Sequence, residues 1–242
     1  MKSNTKKKTS GISDRIIIQH AAIIMDGNGR WANQRGMNRS EGHKASKNAI
    51  REAIKAAIHQ HIPYLSLFAF STENWKRPKI EINYLFDIFS DFLIQETPDL
   101  MEQGVKIITS GSLIKFPVKM QNVVQKTMDV TSDNKVLQVN LCLDYSGRSE
   151  IVHAVRSAIQ QGVSPEEIDE KTFEQFFYHP ELPPIDLLIR TSGEQRISNF
   201  MLWQIAYAEL VFIPIMFPDF TEKDFDAAVQ VFTNRDRRYG GL

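Results

Sequence analysis

The chain has 242 residues, 42% of them hydrophobic, with 29 basic and 29 acidic side chains and a single cysteine, Cys142. That length fits one α/β domain with a sizeable core. The balanced charge carries no nucleic-acid signature, and one cysteine excludes an internal disulfide framework and a thiolate zinc cluster.

Residues 1–15 are rich in Lys and Ser without an apolar core. They read as a disordered basic tail rather than a secretory signal, with weak attraction to an anionic membrane as the other reading. The folded unit is then 16–242. The apolar stretch Leu210–Phe217 is far too short to span a membrane, so the expected location is cytoplasmic, with at most loose membrane association.

His20–Met25 is a continuous apolar run ended by glycine, the pattern of a buried parallel strand. Helical spacing runs from Glu41 to His59, and Tyr64–Phe70 reads as a second strand. Ile82–Met101 carries a broad apolar stripe through Leu85, Phe86, Phe89, Phe92 and Leu93, with Pro98 expected to kink or end the helix. Val105–Thr109 and Val136–Leu143 are strands around a helix near Val118–Met128, and Ile151–Gln161 is a helix closed by Gly162. Ser164-Pro165-Glu166-Glu167 reads as a helix start. Ile185–Ile189 is a strand, Asn199–Ala208 a helix, Val211–Phe217 a strand and Glu222–Arg235 a final helix. About six buried strands alternating with helices predict one α/β domain around a mainly parallel six-stranded sheet flanked by helices.

Three strands end in polar loops, which a parallel sheet brings to one edge. In the first, Asp26-Gly27-Asn28-Gly29-Arg30, an acid meets two glycines whose backbone N–H groups can approach a ligand closely. The second, Ser71-Thr72-Glu73-Asn74-Trp75-Lys76-Arg77, is poor packing material, although a capped helix start with a surface Trp also accounts for it. The third, Arg190–Asn199, sets Arg190 and Arg196 around Gly193 and reads as a diphosphate pocket, because guanidinium forks match phosphate oxygens. Ser198 or Asn199 is expected to cap the next helix and add its dipole.

His43 is expected in the first turn of its helix among Arg39 and Lys44, whereas His59, His61, His153 and His179 read as structural. Glu209 gains meaning only if it pairs with Asp26 around a hard cation such as Mg²⁺, which takes one or two carboxylates plus phosphate oxygens. The basic cluster Arg235–Tyr239 is a solvated end or a cover for a bound diphosphate. No Ser-His-Asp order, paired catalytic carboxylates or P-loop stands out, so the site holds phosphate ligands and few nucleophiles.

From His20 to Gly241 these motifs resemble the cis-prenyltransferases of the undecaprenyl diphosphate synthase type. The resemblance rests on His20–Ala32, Gly42-His43-Lys44, Phe70–Pro78, Asp186–Thr191, Arg196–Phe200 and Trp203–Glu209, in the family's order. It implies successive condensation of isopentenyl diphosphate onto farnesyl diphosphate with new cis double bonds. The product would be a long polyprenyl diphosphate, a lipid-carrier precursor for cell-wall synthesis that partitions to membrane. By position, Asp26 would bind Mg²⁺ and assist loss of the allylic diphosphate, with Glu209 as second metal ligand. Gly27, Asn28, Gly29, Arg30, Arg39 and His43 would hold that diphosphate, with Trp31 beside them. Ser71, Thr72, Glu73, Trp75 and Arg77 would close over the substrates, and Asn74 would accept the proton. Arg190, Arg196 and Ser198, with Ile197 between them, would bind isopentenyl diphosphate. The resemblance also implies a homodimer and an apolar tunnel for the product. The Phe86, Phe89 and Phe92 stripe either lines that tunnel or packs the core.

Four positions depart from the family pattern: Asp144 and Ser146 in Asp144-Tyr145-Ser146-Gly147-Arg148, where Asn-Tyr-Gly-Gly-Arg is frequent, Ser192 where Gly is frequent, and Gln195 where His is frequent. The last puts in doubt a metal or phosphate contact through that side chain. Two rival readings stay open. An aspartyl-nucleophile phosphohydrolase also puts Asp after a buried strand, but it wants a second Asp where Asn28 stands. A non-catalytic prenyltransferase-like subunit should lose the diphosphate ligands, which this chain keeps.

Overall fold

A computed structural model describes residues 18–234. The basic tail and the Arg235–Tyr239 cluster lie outside those residues. Six strands form one sheet in the order β3-β4-β2-β1-β5-β6, and every neighbouring pair is parallel. They are β1 (His20–Ile24), β2 (Tyr64–Ser71), β3 (Val105–Gly111), β4 (Leu137–Tyr145), β5 (Leu187–Arg190) and β6 (Glu209–Phe212). After β1 the chain moves to β2 on one side, while β5 and β6 add to the other. The strand order therefore reverses at β1, and the crevice beyond its carboxyl end is where such sheets bind ligands.

The helices are α1 (Asn28–Gln34), α2 (Arg39–Ala45), α3 (Lys47–His59), α4 (Lys79–Glu102), α5 (Val118–Val130), α6 (Gly147–Gln160), α7 (Glu170–Glu174) and α8 (Glu222–Thr233). Along β1 successive side chains alternate between faces. Ala21 and Ile23 join a large core with α3, α4, α5 and α8, whereas Ala22 and Ile24 join a smaller cluster with Cys142, Tyr145, Phe200, Met201 and Ile205.

Several expected boundaries move for identifiable reasons. The single helix over 41–59 is two, broken at Ser46, whose hydroxyl donates to the His43 carbonyl at 2.7 Å. Pro98 sits inside α4 and does not end it; the stop comes at Gly104 in a left-handed conformation (φ +68). Ser164 caps only a short 3₁₀ turn, Pro165–Glu167.

The expected helix over Asn199–Ala208 is absent. Ser198, Asn199 and Met201 all have positive φ, and backbone groups serve other elements: the Asn199 carbonyl accepts from Gly147 and the Gln204 carbonyl from Ile185. The strand expected over Val211–Phe217 is Glu209–Phe212. Beyond it Pro214 has no N–H, and the Ile213 and Ile215 carbonyls accept from Gly193 and Ser192 at 2.8 and 2.7 Å.

Candidate active site at the carboxyl edge of the sheet

Asp26 stands two residues beyond the end of β1, and its backbone N–H and carbonyl both meet the Thr191 hydroxyl, at 2.9 and 2.6 Å. Gly27 turns the chain with φ +106; a Cβ there would lie 2.7 Å from the Met216 sulfur. Only glycine fits both demands. α1 then starts at Asn28, and one turn later Arg30 reaches back to the Asp26 carboxylate at 3.4 Å.

The second cation on Asp26 comes from β5. Arg190, its side chain 4% exposed, donates to Asp26 Oδ2 at 2.8 Å and to the Ser198 hydroxyl at 2.7 Å. Arg30 also donates to the Ser192 hydroxyl at 2.5 Å and pairs with Glu194 at 3.0 Å. Burial works against ionising Asp26, but the Arg190 and Ser192 hydrogen bonds, the Arg190 charge and the Gly27 N–H outweigh it. The carboxyl lies below its ordinary value and is ionised at neutral pH. Two buried atoms lack partners here, Asn28 Oδ1 and Arg190 Nε.

Asp26 and the 27–30 turn form the polar mouth of a cavity of about 250 Å³, together with Arg39, His43, Asn74 and Arg77. Its body is apolar, lined by Leu67, Ala69, Leu85, Phe86, Phe89, Phe92, Leu93, Phe116, Leu141 and Leu143 among others. The Phe86, Phe89 and Phe92 stripe therefore faces this cavity while also belonging to, or packing on, the core.

At the rim, Arg77 donates to Glu81 at 3.2 Å and lies 3.4 Å from the His43 ring, and Arg39 lies 3.9 Å from Glu81. Burial, then the charges of Arg77 and Arg39, push His43 down to about 4, so its ring is neutral at pH 7. His43 lies in the last turn of α2, not the first turn of a longer helix. Gly42 is required by close approach: a Cβ there would sit 1.9 Å from the Asn28 carbonyl oxygen. At Gly29 a Cβ would press on the Arg39 guanidinium at 3.1–3.2 Å.

The loop after β2 is a 3₁₀ turn, Thr72–Lys76, fixed by a capping box in which Asn74 Oδ1 accepts the Ser71 N–H at 3.1 Å. Its indole, Trp75, packs on Phe70, Phe86 and Phe116 with ring centroids 5.2–5.7 Å apart. Glu73 reaches toward the third loop, where Asn199 Nδ2 lies 3.4 Å from its carboxylate.

The three expected loops thus meet around Asp26, although their members contribute unequally. Trp31 turns toward Asp219, donating to it at 2.7 Å, with Arg35 4.1 Å above its ring; it is absent from the cavity lining. Arg196 is exposed and paired with Glu194, and Ile197 packs on the smaller core. No helix follows Ser198, so the expected dipole is lacking there; Asn199 Oδ1 instead accepts the Arg148 N–H at the start of α6.

Glu209 opens β6 opposite Leu187, which pairs with Ala21, five residues before Asp26. At about 3.3 Å per residue along the strand and about 4.8 Å per strand across two strands, that puts Glu209 roughly 19 Å away at the opposite edge of the sheet. One chain therefore does not bring the two acids together. Among the described residues no cluster of three or more His, Cys, Asp or Glu is placed to hold a metal ion, and no helix is long and apolar enough to cross a membrane.

Sequence reading missed Glu81, which organises Arg39 and Arg77, although its i+4 spacing from Arg77 was visible. It also passed over Lys115, which reaches Asp144 and the Trp75 ring from a loop with no local signal.

Comparison with known proteins agrees with this geometry. The family model of the undecaprenyl diphosphate synthases matches residues 24–240. The Escherichia coli K12 ditrans,polycis-undecaprenyl-diphosphate synthase, specific for (2E,6E)-farnesyl diphosphate, is 44% identical over 92% of this chain and 90% of its own length. The Thermobifida fusca trans,polycis-polyprenyl diphosphate synthase, specific for the (2Z,6E) isomer, is 41% identical over 93% and 82%. Lavandulyl diphosphate synthase from Lavandula x intermedia, solved with dimethylallyl diphosphate, superposes with a TM-score of 0.88 at 35% identity, covering 94% of this chain and all of that one. The chain belongs to the undecaprenyl diphosphate synthase family and is a transferase of prenyl groups.

Proposed function

We propose that this protein extends farnesyl diphosphate by successive condensation with isopentenyl diphosphate, forming cis double bonds and releasing a long polyprenyl diphosphate, of undecaprenyl length. The carrying observation is the cavity itself, whose cationic mouth and apolar body match an amphipathic ligand with an anionic head and a prenyl tail. The relatives' names support an allylic diphosphate as that ligand.

In this reading the backbone turn at 27–30, with Arg30, Arg39, His43 and Arg77, binds the allylic diphosphate. Departure of that group leaves an allylic cation, so cations fixed around its oxygens lower the barrier as charge moves onto them. The neutral His43 ring donates or accepts a hydrogen bond there, and two nearby arginines make a bound anion welcome. Arg190, Arg196 and Ser198 receive isopentenyl diphosphate, whose double bond attacks the allylic carbon and whose C2 then loses a proton. Asn74 is the proposed receiver of that proton; its Oδ1 accepts the Ser71 N–H with one lone pair, which leaves the second for the proton, to be passed on to the departing diphosphate.

An ionised Asp26 at the mouth suits Mg²⁺, which needs few protein ligands when phosphate oxygens complete its shell. Bound there, the ion would neutralise charge on the departing diphosphate. Glu209 would reach such an ion only from a second copy of the chain. Exposed Val152, Val155 and Ile159 on α6 offer an apolar surface for such a copy. Incubation with farnesyl diphosphate, labelled isopentenyl diphosphate and Mg²⁺, followed by chromatography, should give a ladder ending in a long prenyl chain. A folded protein that makes no product longer than farnesyl would overturn the reading.

A further inference from the structure

We propose that Asp144 is a positioning residue: clamped between the Trp75 indole and Lys115, it holds the aromatic wall of the cavity in place for the allylic substrate. The inference rests on the reading of that cavity as the allylic site. Asp144 is the next-to-last residue of β4 and has φ +45, a left-handed conformation that Asp tolerates better than most residues. The neighbouring strand fixes this bend. Gly111 lies so close that a Cβ on it would stand 2.0 Å from the Leu143 carbonyl oxygen.

The carboxylate is 3% exposed, and each of its oxygens has its own partner. Oδ1 accepts the Trp75 indole N–H at 2.7 Å, and Oδ2 lies 3.2 Å from Lys115 Nζ. Lys115 also stands 5.7 Å above the Trp75 ring, so the indole is held at its N–H edge by one partner and over its face by the other. Trp75 in turn touches Phe70, Phe86 and Phe116, and all three line the cavity. The clamp draws one residue from each of three consecutive loops or strand ends, after β2, after β3 and at the end of β4.

The chemistry favours a fixed indole over a mobile one. A buried indole N–H needs an acceptor, and a charged acceptor makes the stronger bond. Asparagine, frequent in the family at this position, offers the indole the same acceptor oxygen but gives Lys115 no charge to pair with. An acidic residue here therefore adds a second, salt-sensitive hold on Trp75 that an amide lacks. Lys115 is 63% exposed, so its share of the clamp weakens with ionic strength while the indole bond persists.

The test uses the full chain labelled with 5-fluorotryptophan. Three tryptophans give three ¹⁹F resonances, and Trp75→Phe identifies the one of interest. Without any substrate, Asp144→Leu should shift and broaden the Trp75 resonance, Asp144→Asn should restore a sharp line, and Lys115→Met should remove the salt dependence of its position. In turnover, Asp144→Leu should raise KM for farnesyl diphosphate about tenfold with kcat unchanged, the scale of one lost hydrogen bond to a charged group. Asp144→Asn should recover most of that loss. If Asp144→Leu does not fold, Lys115→Met alone decides through the salt dependence of the Trp75 line and of KM. A Trp75 resonance and a KM that ignore both positions, with only the melting temperature lowered, would reduce Asp144 to a structural residue. Failure of the wild-type protein to elongate farnesyl diphosphate would instead strike the cavity assignment and leave the substrate-free ¹⁹F result standing.

Discussion

On the face covered by α3, α4, α5 and α8, Leu67, Leu141 and Leu143 border a cavity. On the other face Phe68 stacks on Phe200 at 4.4 Å and Tyr145 meets both rings edge-on. The same alternating strands supply both surfaces, yet one keeps an opening and the other is filled with aromatic rings. An opening forfeits contacts that its lining atoms would otherwise make, so it persists only where the surrounding structure tolerates that loss. The filled face supplies the rigidity. Across it a polar chain runs from His20 through the Ser66 hydroxyl at 2.8 Å to Asn140 Nδ2 at 3.1 Å and on to the Ser110 hydroxyl at 3.0 Å, all buried. In the proposed function one face of the sheet receives the substrates, while buried hydrogen bonds on the other link β1, β2, β3 and β4.

The strongest way to break the comparison is at the mouth of the open face. Asp26→Ala should cut turnover by about 10²–10³, the order expected when one charge-stabilising group is removed, while circular dichroism stays that of the parent. Asp26 lies outside both packed clusters, so the fold should survive; wild-type turnover in the variant would end its proposed role.

The filled face should fail differently, through acid. His20 donates from Nδ1 to the Pro183 carbonyl at 2.7 Å, which leaves Nε2 to accept from Ser66, and burial holds its pKa down to about 4. The unfolded chain binds that proton near pH 6.5, the folded one only near 4. Stability from this group is therefore complete above 6.5 and lost as pH falls toward 4, by about 3 kcal/mol at the lower end. Urea midpoints between pH 7.5 and 5.5 should fall, and His20→Gln should flatten that slope. An unchanged slope in His20→Gln would show that His43, depressed to the same level, carries it.

Within the mouth the arginines should divide the substrates. Arg190→Ala and Arg196→Ala should each raise KM for isopentenyl diphosphate more than for farnesyl diphosphate, by ten- to a hundredfold for about 1.5–3 kcal/mol of charge-assisted bonding. Arg190 is buried on Asp26 and Arg196 is exposed on Glu194, so the larger effect belongs to Arg190. Equal rises in both KM values would refute the division.

Much of this contrast was legible in the residues. Apolar runs located five of the six strands and overlapped the sixth only at Val211 and Phe212, and the loops behind β1, β2 and β5, whose residues make poor core, meet at one edge of the sheet. What escaped depends on contacts between distant segments. The 199–208 segment has helical composition, but its backbone groups are claimed by Gly147 and Ile185, which no local pattern reveals. Pairing Glu209 with Asp26 overlooks an order the sequence already shows, Glu209 before its strand and Asp26 after one; in an all-parallel sheet that order puts the two at opposite edges, as the register shows. Lys115 and Asp144 meet across about thirty residues of sequence, with a tryptophan from a third segment between them.

The gentlest probe asks how deep the open face must be. Ala69, near the end of β2, lines the cavity and is partly buried, and a bulge displaces the pairing on either side of it. A larger side chain there projects into space on the cavity side, whereas in the filled face it would meet packed rings. If the cavity is the tunnel for the growing chain, Ala69→Leu should shorten the product and leave the first condensations running at near the parent rate. If Ala69 is ordinary core, overpacking should lower stability by about 1–3 kcal/mol and slow every condensation alike. Chromatography of the prenyl products beside a melting curve separates the two. A shortened ladder with an unchanged melting temperature assigns Ala69 to the path of the product; full-length product at the parent rate places the growing chain elsewhere.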